Sequence, residues 1–199
     1  HNSDRRQRQM CIRDSKLSDS AELEIEALVS KGIGCVPPED IGRAKRIDDG
    51  RYRYIERVKS SFPNQMRLDG LKVVIDCANG AGYKAAPEVL WELGAEVIPV
   101  GVSPDGRNIN LDCGSTNPTV AAETVVAHGA DVAICLDGDA DRVLIIDEYG
   151  RPIDGDQFLG MIGSRWFKNG NLVENTLVST VMSNMRLEAF LLSLIHISE

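Results

Sequence analysis

The sequence predicts a three-layer α/β domain with a mostly parallel mixed sheet, preceded by a partial helical segment of an upstream domain. From Leu71 onward, short apolar runs typical of strands alternate with longer stretches of helical periodicity. This alternation is typical of a parallel sheet covered by helices. The 199 residues are also 43% hydrophobic and 26% charged, which is ordinary for a globular protein with a sizeable core.

Two helices and a linker are predicted before the first strand. Residues 16–32 have an amphipathic helical pattern that Ser18 or Asp19 can cap. Residues 34–50 contain two adjacent prolines and indicate a linker between domains. Residues 50–62 place apolar side chains at helical spacing and predict a second helix, which a proline ends.

The remaining chain predicts alternating strands and helices. The predicted strands cover residues 71–77, 95–101, 130–136, 142–153 and 176–182, the fourth with a turn at Tyr149-Gly150 that leads into a short further strand. One predicted helix follows the small residues at 78–87 and ends at Gly94. Three more predicted helices cover residues 118–129, 154–170 and 183–191.

Charge and cysteine usage exclude several classes of function. The net charge is −8, so we expect neither nucleic acid nor an anionic membrane surface as a partner. No run of 18 apolar residues indicates a membrane-spanning helix.

Five cysteines without a CxxC pair predict reduced, mostly buried thiols in a cytoplasmic protein. The three histidines lie far apart in the sequence, so a histidine-based metal site is not expected.

The stretch "CLDGDADRVLIID" contains the clearest candidate site. Asp137, Asp139 and Asp141 follow a predicted strand at alternate positions, and Gly138 and Ala140 between them add no bulk. Ligands of open α/β sheets bind beyond the carboxyl ends of strands. Three carboxylates repel one another unless a cation lies among them, and hard oxygen ligands suit Mg²⁺. The motif therefore predicts a magnesium site.

Three other interpretations of the motif are weaker. A solvated acidic turn needs only one or two such residues. A calcium EF-hand loop requires glycine where Arg142 stands, and Ile145 is apolar at another of its ligand positions. A phosphatase with the first aspartate as nucleophile lacks its supporting residues.

Arg142 follows the carboxylates directly and offers the planar, bidentate donors that suit phosphate. It is therefore a candidate phosphate contact, with a surface ion pair to the aspartates as the alternative.

Other conspicuous residues favour structural roles. The small residues of 77–82 ("CANGAG") predict close strand–helix packing, with a phosphate-binding turn as the alternative. A residue within 115–117 can cap the helix after Pro118. Trp91 and Trp166 lie on apolar helix faces and predict packing in a core or between domains.

The motif "DGDADR" resembles the metal-binding loop of the α-D-phosphohexomutases. Residues 69–118 are similar nearly throughout to the second domain of the bacterial phosphoglucosamine mutase branch of that family. The resemblance extends over roughly 16–191, through segments at residues 16–28, 42–63, 154–162 and 177–191.

This resemblance implies a fragment of an isomerase, an intramolecular phosphotransferase that interconverts glucosamine 6-phosphate and glucosamine 1-phosphate. The family acts through a phosphoserine and a bisphosphorylated intermediate, on the route to UDP-N-acetylglucosamine and the cell wall. By motif position, Asp137, Asp139 and Asp141 are the Mg²⁺ ligands and Arg142 contacts the phosphoserine. The alternatives are a phosphomannomutase or phosphoglucomutase of the same superfamily, or a non-catalytic metal-binding module.

The resemblance also implies domain boundaries. Residues 16–47 would be the end of the family's first domain with its linker, residues 48–170 the second domain, and residues 171–191 the start of the third. The implied partners are a phosphorylated amino sugar and the missing domains of the full-length chain. The phosphoserine loop does not appear, so no serine is assigned as nucleophile and the chain alone is expected to be inactive.

The two ends of the chain differ from the rest. Residues 1–15 and 192–199 resemble translated sequencing adapters and are predicted to be non-native. The alternative is a genuine unstructured terminus. On either interpretation the chain is expected to be truncated.

Overall fold

The computed structural model describes residues 17–32 and 34–195. The chain divides into two compact units, residues 1–47 and 48–199. The predicted non-native segment at residues 1–15 lies outside the described residues, as do residues 196–199 of the second one. Residues 192–195 of that second segment belong to a helix.

Among its described residues, the first unit contains one long helix. Helix α1 covers Asp19–Lys31, and the Ser18 hydroxyl accepts a hydrogen bond from the Ala21 N–H at 3.3 Å, as the capping pattern predicts. Gly32 ends the helix with φ of +81°. None of the side chains of α1 is buried. A short 3₁₀ turn follows at Pro38–Asp40.

The second unit alternates strands and helices. Its elements in chain order are α2 (Gly50–Lys59), β1 (Lys72–Asp76), α3 (Ala85–Glu92), β2 (Glu96–Val100), α4 (Thr119–His128), β3 (Val132–Leu136), β4 (Val143–Asp147), β5 (Pro152–Ile153), α5 (Gly155–Lys168), a 3₁₀ turn (Val173–Asn175) and α6 (Met185–Ile195). The strand and hairpin pattern predicted between residues 71 and 153 is confirmed.

The five strands form one mixed sheet in the order β2-β1-β3-β4-β5. Strand β1 is parallel to both β2 and β3, whereas β4 is antiparallel to its two neighbours. Four strands therefore run in one direction and β4 opposes them, which agrees with the predicted mostly parallel mixed sheet. The carboxyl ends of β1, β2 and β3 meet at one edge of the sheet, where Asp76 pairs in register with Val100 and Cys135.

The central strand β1 is buried on both faces of the sheet. Val74, Ala133 and Ile146 form a row across three strands, and this row packs with Ala121 and Val125 of α4. The side chains of β1 alternate between the faces, and its residues on the opposite face are buried as well. Burial of this apolar surface is the main source of the unit's stability.

One predicted strand is absent. Residues 176–182, which have the apolar and β-branched composition of a strand, are irregular, and Val178, Val181 and Met182 are exposed. The prediction was wrong for this structure because a strand needs a neighbouring strand to receive its hydrogen bonds. Among the described residues, this segment has no such neighbour.

Three smaller predictions also need correction. Helix α2 ends at Lys59 rather than at residue 62. The N-cap of α4 is Pro118, without a side-chain capping bond, so no residue within 115–117 caps it. Trp91 is 68% exposed and Trp166 49% exposed. The prediction that either tryptophan packs in a core is wrong, whereas their packing between domains stays a prediction.

The described cysteines agree with the prediction of reduced, mostly buried thiols. Cys77, Cys113 and Cys135 are buried, Cys35 is exposed, and all four are free thiols. In the part of the chain that the structure describes, every helix is too short or too polar to cross a membrane.

Candidate metal centre

The acidic motif forms the short loop between β3 and β4. Strand β3 ends at Leu136, and Asp137 is the first residue beyond the carboxyl edge of the sheet. The chain then reverses into the antiparallel strand β4. A hydrogen bond of 3.1 Å from the Ala140 N–H to the Asp137 carbonyl closes the turn, and Ala140 has φ of +60°. A reversal this tight brings residues at alternate positions together.

The three carboxylates converge as the sequence predicts. One carboxylate oxygen each of Asp137, Asp139 and Asp141 lies within 4.8 Å of the others. Asp137 is only 1% exposed, whereas the other two side chains are exposed. The cluster therefore has one carboxylate fixed in the protein and two at the surface.

Arg142 holds the buried carboxylate in place. Asp137 Oδ1 accepts hydrogen bonds from the Asp141 and Arg142 N–H groups at 3.1 and 3.0 Å. Asp137 Oδ2 accepts from Arg142 Nε at 2.7 Å. Burial raises the pKa of Asp137, but the backbone and side-chain hydrogen bonds from Arg142 outweigh it and lower the pKa to about 2.

Repulsion remains within the cluster. The charge of Asp139, followed by burial and the charge of Asp137, raises the pKa of Asp141 above its ordinary value. Arg142 Nε lies 3.6 Å from Asp141 Oδ1 and offsets this repulsion only in part. A bound divalent cation would remove it.

The donor set fits a hard divalent cation. A carboxylate offers about four acceptor positions, and the three hydrogen bonds to Asp137 leave one for a metal. Asp139 and Asp141 add exposed oxygens, so a bound ion could keep several waters, as Mg²⁺ prefers. The strands on both sides of the loop exclude an EF-hand, which requires flanking helices.

The arginine forms the ion pair that the sequence left as the alternative to a phosphate contact. Its side chain is nevertheless 66% exposed, and both carboxylate contacts are made through Nε. The position is compatible with a phosphate on the solvent side of the guanidinium, because Arg can use several of its donors at once.

Two neighbouring loops support the acidic loop. The Ala81 N–H donates to the Gly138 carbonyl at 2.8 Å, and the Ser115 N–H donates to the Leu136 carbonyl at 2.9 Å. A Cβ on Gly80 would lie 2.6 Å from Gly138 Cα. The small residues of 77–82 therefore pack closely against the acidic loop, and the strand–helix packing expected of them stays a prediction.

Asp76, which was not among the predicted site residues, is fully buried at the end of β1. Its Oδ1 accepts from the Ala78 N–H at 2.9 Å and its Oδ2 accepts from the Gly114 N–H at 2.7 Å. The available signal was an aspartate at the end of an otherwise apolar strand, which is unusual unless the carboxylate is hydrogen-bonded.

The thiols beside this edge are not nucleophiles. Burial, with a smaller contribution from the Asp76 charge, raises the pKa of Cys77 and of Cys135 to about 12. Burial also raises the pKa of Cys113. All three remain protonated near neutral pH, and thiol-based catalysis is not supported.

Comparison with known families identifies the domain. Residues 52–150 match the family model of phosphoglucomutase/phosphomannomutase, α/β/α domain II. Proteins named phosphoglucosamine mutase from Roseobacter denitrificans and Ruegeria sp. (strain TM1040) are 69% and 68% identical to this chain over 176 residues. The aligned part is 88% of this chain and 39% of each relative. The chain thus spans well under half the length of the curated relatives it matches.

A solved structure supports the fold. A phosphoglucomutase/phosphomannomutase family protein from Burkholderia thailandensis aligns with a TM-score of 0.62 at 20% sequence identity. The alignment covers 81% of this chain and 34% of that protein. At this identity the likeness is evidence of a shared fold only.

Proposed function

The chain belongs to the phosphoglucomutase/phosphomannomutase family, whose α/β/α domain II it contains, and on this premise we propose that the full-length protein is a phosphoglucosamine mutase. Its reaction is the interconversion of glucosamine 6-phosphate and glucosamine 1-phosphate. The observation that carries the proposal is the 69% identity over 176 residues with a relative of that name. The product would supply UDP-N-acetylglucosamine synthesis in the cytoplasm.

In this function Asp137, Asp139 and Asp141 hold Mg²⁺. The convergence of their oxygens within 4.8 Å and the fixed, ionised state of Asp137 support the assignment. The ion would supply positive charge beside a phosphoryl group, which is the main requirement of phosphoryl transfer. The residues of this chain orient that charge, because hydrogen bonds from the loop backbone fix Asp137.

Arg142 binds the phosphoserine in this proposal. Its Nε still donates to Asp137, and the exposed N–H groups of the guanidinium donate hydrogen bonds to the phosphoryl oxygens. The serine itself would come from the first domain, of which residues 16–47 are the end with its linker. Residues 48–170 are the second domain and residues 171–191 the start of the third.

A chimeric enzyme tests the proposal. The 176 aligned residues of this chain replace the matching segment of the Roseobacter denitrificans protein, and glucosamine 1-phosphate formation is measured from glucosamine 6-phosphate in the presence of Mg²⁺. We expect the chimera to catalyse the reaction and its Asp139→Ala variant to lose it. The matched control is Glu148→Gln, which removes an exposed carboxylate outside the cluster.

Two results would count against the proposal. One is a folded chimera without mutase activity while the unmodified relative is active under the same conditions. The other is an Asp139→Ala chimera as active as the unsubstituted one, which would separate the activity from the acidic cluster.

A further inference from the structure

Asp76 is a buried carboxylate that the proposed chemistry does not use. It lies at the last position of β1, beneath the loops that surround the acidic loop, and it is fully buried. Placing a carboxylate there is unfavourable unless its oxygens are hydrogen-bonded. Both oxygens are satisfied, each by one backbone N–H.

These two hydrogen bonds hold two different loops. Ala78 belongs to the loop that follows β1, and Gly114 belongs to the long connection between β2 and α4. The loops are also joined directly, since the Asn110 N–H donates to the Ala78 carbonyl at 2.9 Å. Gly101, at the end of β2, packs so closely that a Cβ there would lie 2.6 Å from Asp76 Oδ1. The Asp76 side chain therefore joins the loop that follows β1 to the connection that follows β2.

The same two loops hold the acidic loop on both sides of Asp137. Ser115, next to Gly114, bonds the carbonyl of Leu136, the residue before Asp137. Ala81, three residues after Ala78, bonds the carbonyl of Gly138, the residue after Asp137. A displacement of either loop would be transmitted to the backbone that carries the buried carboxylate.

We propose that Asp76 is a positioning residue of the metal centre, which acts through the backbone of residues 78–81 and 114–115 to fix the loop that carries Asp137. The inference rests on the proposed metal-binding function of that loop. Asp76 itself is not a ligand, because its two oxygens face the amides of Ala78 and Gly114. Mutation of groups that hydrogen-bond directly to metal ligands typically lowers metal affinity by about 10- to 100-fold, and for Asp76, which acts through backbone, we expect the lower end of this range.

The test compares Asp76→Asn with a matched core variant in the 199-residue chain. The asparagine amide nitrogen would face one of the two backbone N–H donors, so one hydrogen bond is replaced by a donor–donor contact. Val74→Ala is the control, because Val74 is fully buried in the same strand but packs against α4 rather than bonding the loops. Circular dichroism establishes a temperature at which all three proteins are folded.

The first readout needs no metal. Amide hydrogen exchange is measured at Ala81 and Ser115, with Ile134 in the middle of β3 as the internal reference. In Asp76→Asn we expect exchange at Ala81 and Ser115 to rise by about tenfold or more relative to Ile134. In Val74→Ala the ratio stays as in the wild type. An unchanged ratio in Asp76→Asn overturns the proposal.

The second readout is Mn²⁺ affinity, followed by electron paramagnetic resonance of the free ion. We expect the dissociation constant to rise by about tenfold in Asp76→Asn and to stay unchanged in Val74→Ala. Faster local exchange with unchanged Mn²⁺ affinity overturns the positioning role. If the wild type does not bind Mn²⁺ at all, the metal assignment of the proposed function fails, and the exchange measurement still decides whether Asp76 fixes the loop.

A second substitution covers a failure to fold. If Asp76→Asn is unfolded, Asp76→Glu keeps the charge and both acceptor oxygens but places them one methylene further from the backbone. We expect the same local rise in exchange at Ala81 and Ser115 and the same direction of change in Mn²⁺ affinity. Wild-type behaviour of Asp76→Glu in both readouts overturns the proposal.

Discussion

Arg142 and Asp137 are joined by two hydrogen bonds that involve both oxygens of the buried carboxylate. Arg142 Nε donates to Oδ2 at 2.7 Å, and the Arg142 N–H donates to Oδ1 at 3.0 Å. The pairing keeps Asp137 ionised although it is 1% exposed. In the proposed magnesium site, this pairing would hold one charged ligand in a fixed place before a cation binds, which would reduce the ordering that binding requires.

Arg142→Ala removes the side-chain half of this pairing. We expect the free energy of unfolding to fall only slightly, because a charged hydrogen bond to a buried group is lost while the arginine itself is largely exposed. The pKa of Asp137 should rise, since the guanidinium is one of the groups that lower it. Urea denaturation and carboxylate titration by NMR measure the two effects. Arg107→Ala, at an exposed loop position, should change neither quantity, and an equal loss in both variants would argue against a specific pairing.

Acidification should reveal the stabilisation that Asp137 provides. Its pKa in the folded protein is about 2, below the ordinary value of 3.8. A depressed pKa stabilises the folded state at pH values above that of an unfolded aspartate, and the effect is lost as the pH falls from about 4 toward 2. The stability difference between wild type and Asp137→Asn, measured by urea denaturation with a chelator present, should therefore shrink over this interval. A difference independent of pH would contradict the assigned ionisation.

Gly80→Ala tests the close packing beneath the acidic loop. The added Cβ would lie 2.6 Å from Gly138 Cα, and the neighbouring atoms are backbone that cannot move away alone. We expect a loss of about 1–3 kcal/mol in the free energy of unfolding, as for other overpacked sites, together with weaker Mn²⁺ binding. Gly155→Ala is the control, because a Cβ at Gly155 meets nothing within 4 Å. Equal stability of the two variants in urea would show that the loops can separate at little cost.

Val181→Asp tests whether residues 176–182 are covered by a further domain in the full-length protein. Val181 is fully exposed in this chain, so the substitution should change the stability of the 199-residue chain by less than about 0.5 kcal/mol. In the chimeric enzyme the same substitution should reduce mutase activity strongly, because a segment buried against the proposed third domain would then carry an unpaired charge. Full activity of the substituted chimera would remove the support for a third domain that begins at this segment.

The acidic cluster could be predicted from the sequence because its determinants are local. Asp137, Asp139 and Asp141 alternate over five residues directly after a strand, and Arg142, which fixes the first of them, is only five positions away. Strand direction and the position of the loop follow from the alternation of elements. These features need no knowledge of distant contacts.

Asp76 could not be predicted in the same way, because its role depends on a contact with Gly114, 38 positions further along the chain. The strand expected at residues 176–182 failed for a related reason, since strand propensity takes effect only where a neighbouring strand exists. Trp91, on a helix face that the sequence marks as apolar, is largely exposed. In each case the local sequence pattern is present, but the structure or burial that results depends on contacts with residues that are distant in the sequence.

Mn²⁺ binding by the 199-residue chain tests whether Asp137, Asp139 and Asp141 hold a divalent cation, since Mn²⁺ takes the same oxygen ligands as Mg²⁺. Wild type, Asp139→Ala and Glu148→Gln are titrated with Mn²⁺, and Mg²⁺ is then added as a competitor. We expect saturable binding to wild type and Glu148→Gln that Mg²⁺ displaces, and loss of that binding in Asp139→Ala. Absence of binding in a folded wild type, or equal binding in Asp139→Ala, would contradict the metal assignment.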